Sequence, residues 1–198
     1  MKLSELDTGD ILLFSNRSSI LDKLISFFTD SIYTHVAMVI KDPPGYPGLH
    51  MIESSLEPMP DEIEDKKIFG VQLQPLGTAL TREGTVVCRK LSTSYPLCVQ
   101  DVMDDIHKIY GDPYDIRPLD WLLAELKVLD PKIVWEQQNS SFWCSALVAY
   151  IYVKIGLLPN TVPWTLISPA DWGNVVNQNT NLPFIDCALG DPESIETD

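Results

Sequence analysis

The sequence predicts an α+β domain, an antiparallel sheet with helices packed on one side of it. Two observations predict this. Apolar and β-branched runs with period-two alternation crowd the first half of the chain, and apolar residues at helical spacing fill the second half. The 198 residues suffice for one domain with a sizeable core and are short for two.

The elements follow in order. Asp7-Thr8-Gly9-Asp10 reads as a turn, with Ile11 to Ser15 as a buried strand behind it. Ile20, Leu21, Leu24, Ile25, Phe27 and Phe28 recur at helical spacing, so 18–29 reads as a short amphipathic helix. Tyr33 to Ile40 is a strand, closed by the loop Pro43-Pro44-Gly45-Tyr46-Pro47-Gly48. His50 to Ser54 is a further strand, antiparallel to its predecessor. The acidic stretch 57–67, with Pro58 and Pro60, reads as an exposed loop or lid.

Strands are expected at 70–75 and 85–91, and helices at 99–110 and at 119–128 around Trp121. The strongest helix runs from about Phe142 to Leu157 and stops near Gly156 and Pro159. Ser168-Pro169 is a helix start, with the serine as cap and the proline in first position. One domain is expected over 1–185, followed at 186–198 by a loose acidic tail.

Fourteen basic against 28 acidic residues give a net charge of −14. Such a surface repels phosphates, which argues against nucleic acid and anionic membranes as partners. The N-terminal residues show no secretory pattern, and no apolar stretch reaches the length of a membrane span. A soluble, cytoplasmic protein is the expectation. Cysteines stand at 88, 98, 144 and 187, with no C-x-x-C pair and no histidines at ligand spacing, so neither metal nor cofactor is expected. Phosphate-loop, dinucleotide and G-x-S-x-G patterns are absent.

The residues that carry chemistry are few. Cys144 sits where the polar Ser140-Ser141 gives way to an apolar helix. In the first turn of a helix a cysteine meets the positive end of the dipole and free backbone N–H groups, which favour thiolate over thiol. The same N–H groups can receive an oxyanion. The competing reading is a small apolar core residue. His35, on a strand, is held firmly enough for a general base, or is a satisfied structural histidine. Glu53, a carboxylate in an apolar strand, needs a partner, and a histidine on the neighbouring strand would serve. Alternation places Tyr33 on the face of His35, where its hydroxyl is a candidate second oxyanion donor. His50 alternates away from Glu53, and His107 falls on a solvated helix face. Cys88 and Cys98 have apolar surroundings, and nothing activates Cys187.

Taken together, these pieces resemble the permuted branch of the NlpC/P60 (papain-like) superfamily, in particular the YiiX/YebB-like cysteine hydrolases with their poxviral and large-virus relatives. The resemblance rests on Gly9-Asp10-Ile11-Leu12-Leu13-Phe14, on Tyr33 to Ile40, on Ile52-Glu53-Ser54, and on Tyr110-Gly111-Asp112-Pro113-Tyr114-Asp115. Trp143 to Val148 and Ser168-Pro169-Ala170-Asp171 complete it. Its specific part is the order His, Glu, Cys; in unpermuted papain-like enzymes the cysteine comes first. It implies a circularly permuted papain-like fold, with a small antiparallel sheet or half-barrel against the nucleophile helix. It implies Cys144 as nucleophile, His35 as base and Glu53 as the residue orienting it.

Three functions are compatible with this reading. The first is a cysteine hydrolase acting on a peptide, amide, thioester or lipid ester. The second is an acyltransferase or phospholipase like the lecithin:retinol acyltransferase relatives. The third is an interaction protein with an idle site. Segments 57–67 and 118–139 are expected to flank the pocket. Oligomeric state is not written in the sequence.

Overall fold

The computed structural model describes residues 1–15, 31–63, 65–81, 84–113, 142–173 and 182–196. The helices expected at 18–29 and 119–128, and segment 118–139, lie outside the described residues.

The strands are β1 (Ile11–Ser15), β2 (His35–Lys41), β3 (Leu49–Pro60), β4 (Lys67–Pro75), β5 (Thr85–Arg89) and β6 (Leu91–Thr93), with β7 (Cys187–Leu189) and β8 (Glu193–Ser194) near the C-terminus. The helices are α1 (Leu76–Leu80), α2 (Val99–His107), α3 (Cys144–Lys154) and α4 (Pro169–Gly173). Six strands form one sheet in the order β4-β3-β2-β1-β5-β8, and β6 pairs with β7 separately. Every one of these strand pairs is antiparallel. This is the mixed α+β architecture expected.

Both faces of the sheet are apolar at its centre, so β1 is buried from Ile11 through Phe14. Ile11, Leu13, Val36, Met38, Ile40, Ile52, Val71 and Leu73 join the main core. There α3 packs on β2 and β3. Helix α3 is itself buried from Cys144 to Tyr152, an apolar rod with no solvent stripe. Leu12, Phe14, Ala37, Val39 and Met51 project to the opposite face and form a smaller cluster with Leu6, Leu76 and Cys88.

The turn before β1 carries a requirement that only glycine meets. Gly9 has φ +95°, and a Cβ there would stand 2.5 Å from Leu91 Cδ2 and 2.8 Å from Leu97 Cδ1. The Tyr152 hydroxyl donates to its carbonyl at 2.5 Å, joining α3 to the turn.

Three expectations are corrected. Segment 57–67 is not a lid-like loop. β3 runs on to Pro60 and β4 begins at Lys67, so the acidic stretch is mostly a long hairpin. Ladder pairing across it, Met59 with Ile68 and Pro60 with Lys67, outweighs the composition. The tail is not loose over 187–196. β7 pairs with β6 and β8 with β5, and the Arg89 guanidinium donates to the carbonyls of Trp172, Leu189 and Gly190. Finally, Tyr33 does not share a face with His35. It precedes β2, so strand alternation does not govern it, and its ring belongs to the main core. The His35 ring instead lies edge-on to Phe14, in the opposite cluster, at 5.3 Å.

Candidate active site

The site forms where two strands part. The β2–β3 ladder runs from Lys41 opposite Leu49 to Met38 opposite Ile52. Beyond that point β2 stays with β1 as far as His35 opposite Phe14, while β3 stays with β4. His35 and Glu53 stand on either side of the opening. His35 Nε2 and Glu53 Oε2 are 2.7 Å apart. Glu53 is fully buried, and the imidazole keeps 19% of its surface exposed. A buried carboxylate is tolerable only with partners, and Glu53 has a second one: Gln72 Nε2 donates to its Oε1 at 3.3 Å.

Cys144 is the first residue of α3 and is buried. Its sulfur lies near enough to the His35 ring to act on the ring's proton affinity. Burial alone would lower the imidazole pKa. The Cys144 sulfur, followed by the Glu53 carboxylate, reverses that and pushes it up to about 10. The protonated, imidazolium form of His35 is therefore favoured beside these two side chains. With Nε2 committed to Glu53, Nδ1 is the nitrogen left to exchange a proton with the thiol. The cap residue Trp143 makes no side-chain hydrogen bond to the first turn of α3.

Sequence reasoning missed what fixes Cys144 in place. Ser54 Oγ donates to the Phe142 carbonyl at 2.6 Å, Trp143 Nε1 to the Thr165 carbonyl at 3.2 Å, and Ser145 Oγ to the Ile167 carbonyl at 2.8 Å. The available signal was a serine inside an apolar run at 145, and a serine next to the glutamate in a strand at 54. Helix α4 starts as expected, with Ser168 N and Oγ both donating to Asp171 Oδ2.

The remaining candidates fall away from the pair. His50 is buried with Nδ1 3.3 Å from the Gly48 carbonyl, and His107 is exposed in the last turn of α2. Cys88 is fully buried in the smaller cluster, where burial and the Asp10 charge push its thiol up to about 12. Cys98, at the cap position of α2, is exposed, contrary to its apolar sequence context. Cys187 is half-buried on β7, its sulfur 3.7 Å from the Leu157 carbonyl. Among the described residues no group of three or more His, Cys, Asp or Glu side chains is arranged to hold a metal ion. No described helix is long and apolar enough to cross a membrane.

No protein-family model matches the chain, and no curated protein matches it. Among solved structures, the fold is similar to that of the metalloprotein YiiX from Escherichia coli O157:H7. The identity is 20% and the TM-score 0.49, over 75% of this chain and 66% of that one. This chain therefore spans just under two thirds of that protein's length.

Proposed function

We propose that the protein is a cysteine hydrolase of permuted papain-like type, with Cys144 as nucleophile, His35 as acid and base, and Glu53 orienting His35. The observation that carries this reading is the 2.7 Å contact of His35 Nε2 with the buried Glu53, beside a cysteine at the N-terminus of α3 that acts on the same ring. A thiol, an imidazole and a carboxylate in that sequence of contacts is the arrangement that nucleophilic acyl transfer needs.

The Cys144 thiolate attacks a substrate carbonyl carbon, forming a C–S bond. The oxyanion is received by backbone N–H groups of the first turn of α3. The imidazolium gives its Nδ1 proton to the leaving amine, alcohol or thiol as the bond to carbon breaks. The neutral ring then takes a proton from water, whose oxygen attacks the acyl-enzyme, and the carboxylic acid leaves with Cys144 regenerated. Tyr33 is retained only as a second oxyanion donor to be tested, since its ring lies in the main core. The peptide, amide, thioester and lipid-ester classes all suit this chemistry. The metal in the name of the E. coli protein has no matching donor set here among the described residues.

The test is brief, limiting alkylation with iodoacetamide, followed by mass-spectrometric mapping. Wild type should label preferentially at Cys144, and His35→Ala should lose that preference. Equal slow labelling of all four cysteines would sink the proposal. Selective labelling justifies a screen over the four ester and amide classes, with an added acceptor alcohol to separate transfer from hydrolysis.

A further inference from the structure

Two serine hydroxyls occupy positions where alanine would fill almost the same space. Ser54 and Ser145 are both fully buried. A buried hydroxyl destabilises the fold unless it finds an acceptor. Each finds one backbone carbonyl, and both bonds converge on the turn that presents Cys144. Ser54 Oγ holds the carbonyl of Phe142, two residues before the cysteine, at 2.6 Å. Ser145, the residue after it, holds the Ile167 carbonyl at 2.8 Å.

The placement of Ser54 is specific. Successive residues of a strand project to opposite faces. On β3, Glu53 reaches His35 and the next residue, Ser54, reaches the turn that carries the nucleophile. One dipeptide therefore sets the position of the imidazole with one side chain and of the cysteine turn with the other. Ser145 fixes the same turn from the far side, against the segment before α4. The Phe142 N–H is tied in addition to the Pro113 carbonyl at 3.1 Å.

We infer that Ser54 and Ser145 are positioning residues, a two-hydroxyl clamp that fixes the Cys144 sulfur against the His35 imidazole. The inference rests on the cysteine-hydrolase reading. Neither serine touches the reacting atoms. Losing either hydroxyl lets the turn drift, and a displacement of about 1 Å is enough to cost up to about a hundredfold in rate.

The experiment is competitive labelling with limiting iodoacetamide at pH 7 in wild type, Ser54→Ala and Ser145→Ala, each cysteine quantified by mass spectrometry. Exposed Cys98 is the internal standard, and fully buried Cys88 reports opening of the fold. The clamp predicts Cys144 labelling slowed about ten- to a hundredfold relative to Cys98, with Cys88 still protected. Ser145→Thr, which keeps a hydroxyl, should restore the rate. Labelling of Cys144 at the wild-type rate in both alanine variants overturns the clamp and leaves the hydrolase reading intact. Slowing accompanied by labelling of Cys88 in both variants also overturns it, since loosened packing then accounts for the loss. If wild type itself shows no preference for Cys144, the hydrolase reading falls and the clamp falls with it. Should Ser54→Ala fail to fold, Ser145→Ala and its threonine rescue decide the question alone.

Discussion

Glu53 lies directly opposite Gln72 in the β3–β4 register, and the Gln72 amide donates to Glu53 Oε1 at 3.3 Å. The other carboxylate oxygen serves His35 at 2.7 Å, so both oxygens of a fully buried anion are accounted for. Gln72→Leu keeps the volume and removes the amide donor. Labelling at Cys144 should slow severalfold, while stability falls by about 1–3 kcal/mol for a buried acceptor left short of a donor. Urea unfolding and labelling kinetics on one preparation check both.

Glu53→Gln should act more strongly on chemistry than on fold. The amide is isosteric but no longer balances the imidazolium. Turnover, once a substrate is in hand, should drop by about two orders of magnitude or more. The alkaline limb of its pH profile should move down from about 10, because one of the two groups that raise the His35 pKa is gone. An unchanged limb would show that Glu53 does not govern the ring.

The same shift predicts how stability depends on pH. The His35 pKa is raised from 6.5 to about 10. Its contribution is therefore fully present below about 6.5 and is lost as pH rises through about 10. The difference in Tm between wild type and His35→Ala should be largest at neutral pH and below, and should shrink between pH 7 and 11. A difference that widens with pH would reverse the assignment.

Arg89 predicts the behaviour of the C-terminal strands. Its guanidinium is mostly buried and donates to three carbonyls, at 2.6 Å to Trp172 and Gly190 and 3.0 Å to Leu189. Arg89→Met leaves those acceptors without a donor and should destabilise the fold by about 3 kcal/mol or more. Limited proteolysis should then cut within 182–193 faster than in wild type.

The elements with a clean period were legible. β1 and β2 show alternation or continuous apolarity, and α3 announces itself as an apolar run behind a polar loop. His35, Glu53 and Cys144 could be nominated because each is a reactive group in an apolar segment. What stayed hidden depends on partners remote in sequence. The hairpin through 57–67 and the strands beyond Asp186 are acidic, and only their ladders make them strands. Tyr33 was misplaced because β2 starts two residues later than the apolar run. Ser54 and Ser145 lie within segments that carry the resemblance, yet those segments give them no role, and Gln72 lies outside them; the meaning of all three lies in the carbonyl or carboxylate each one faces.

Helix α3 is buried on every side from Cys144 to Tyr152. Such a segment has no face that it can leave in water while the rest of the chain is still assembling. Until the sheet offers it a seat, it is prone to self-association. Recovery from denaturant should therefore decline as protein concentration rises, with the segment that bears Cys144 among those buried in the aggregates.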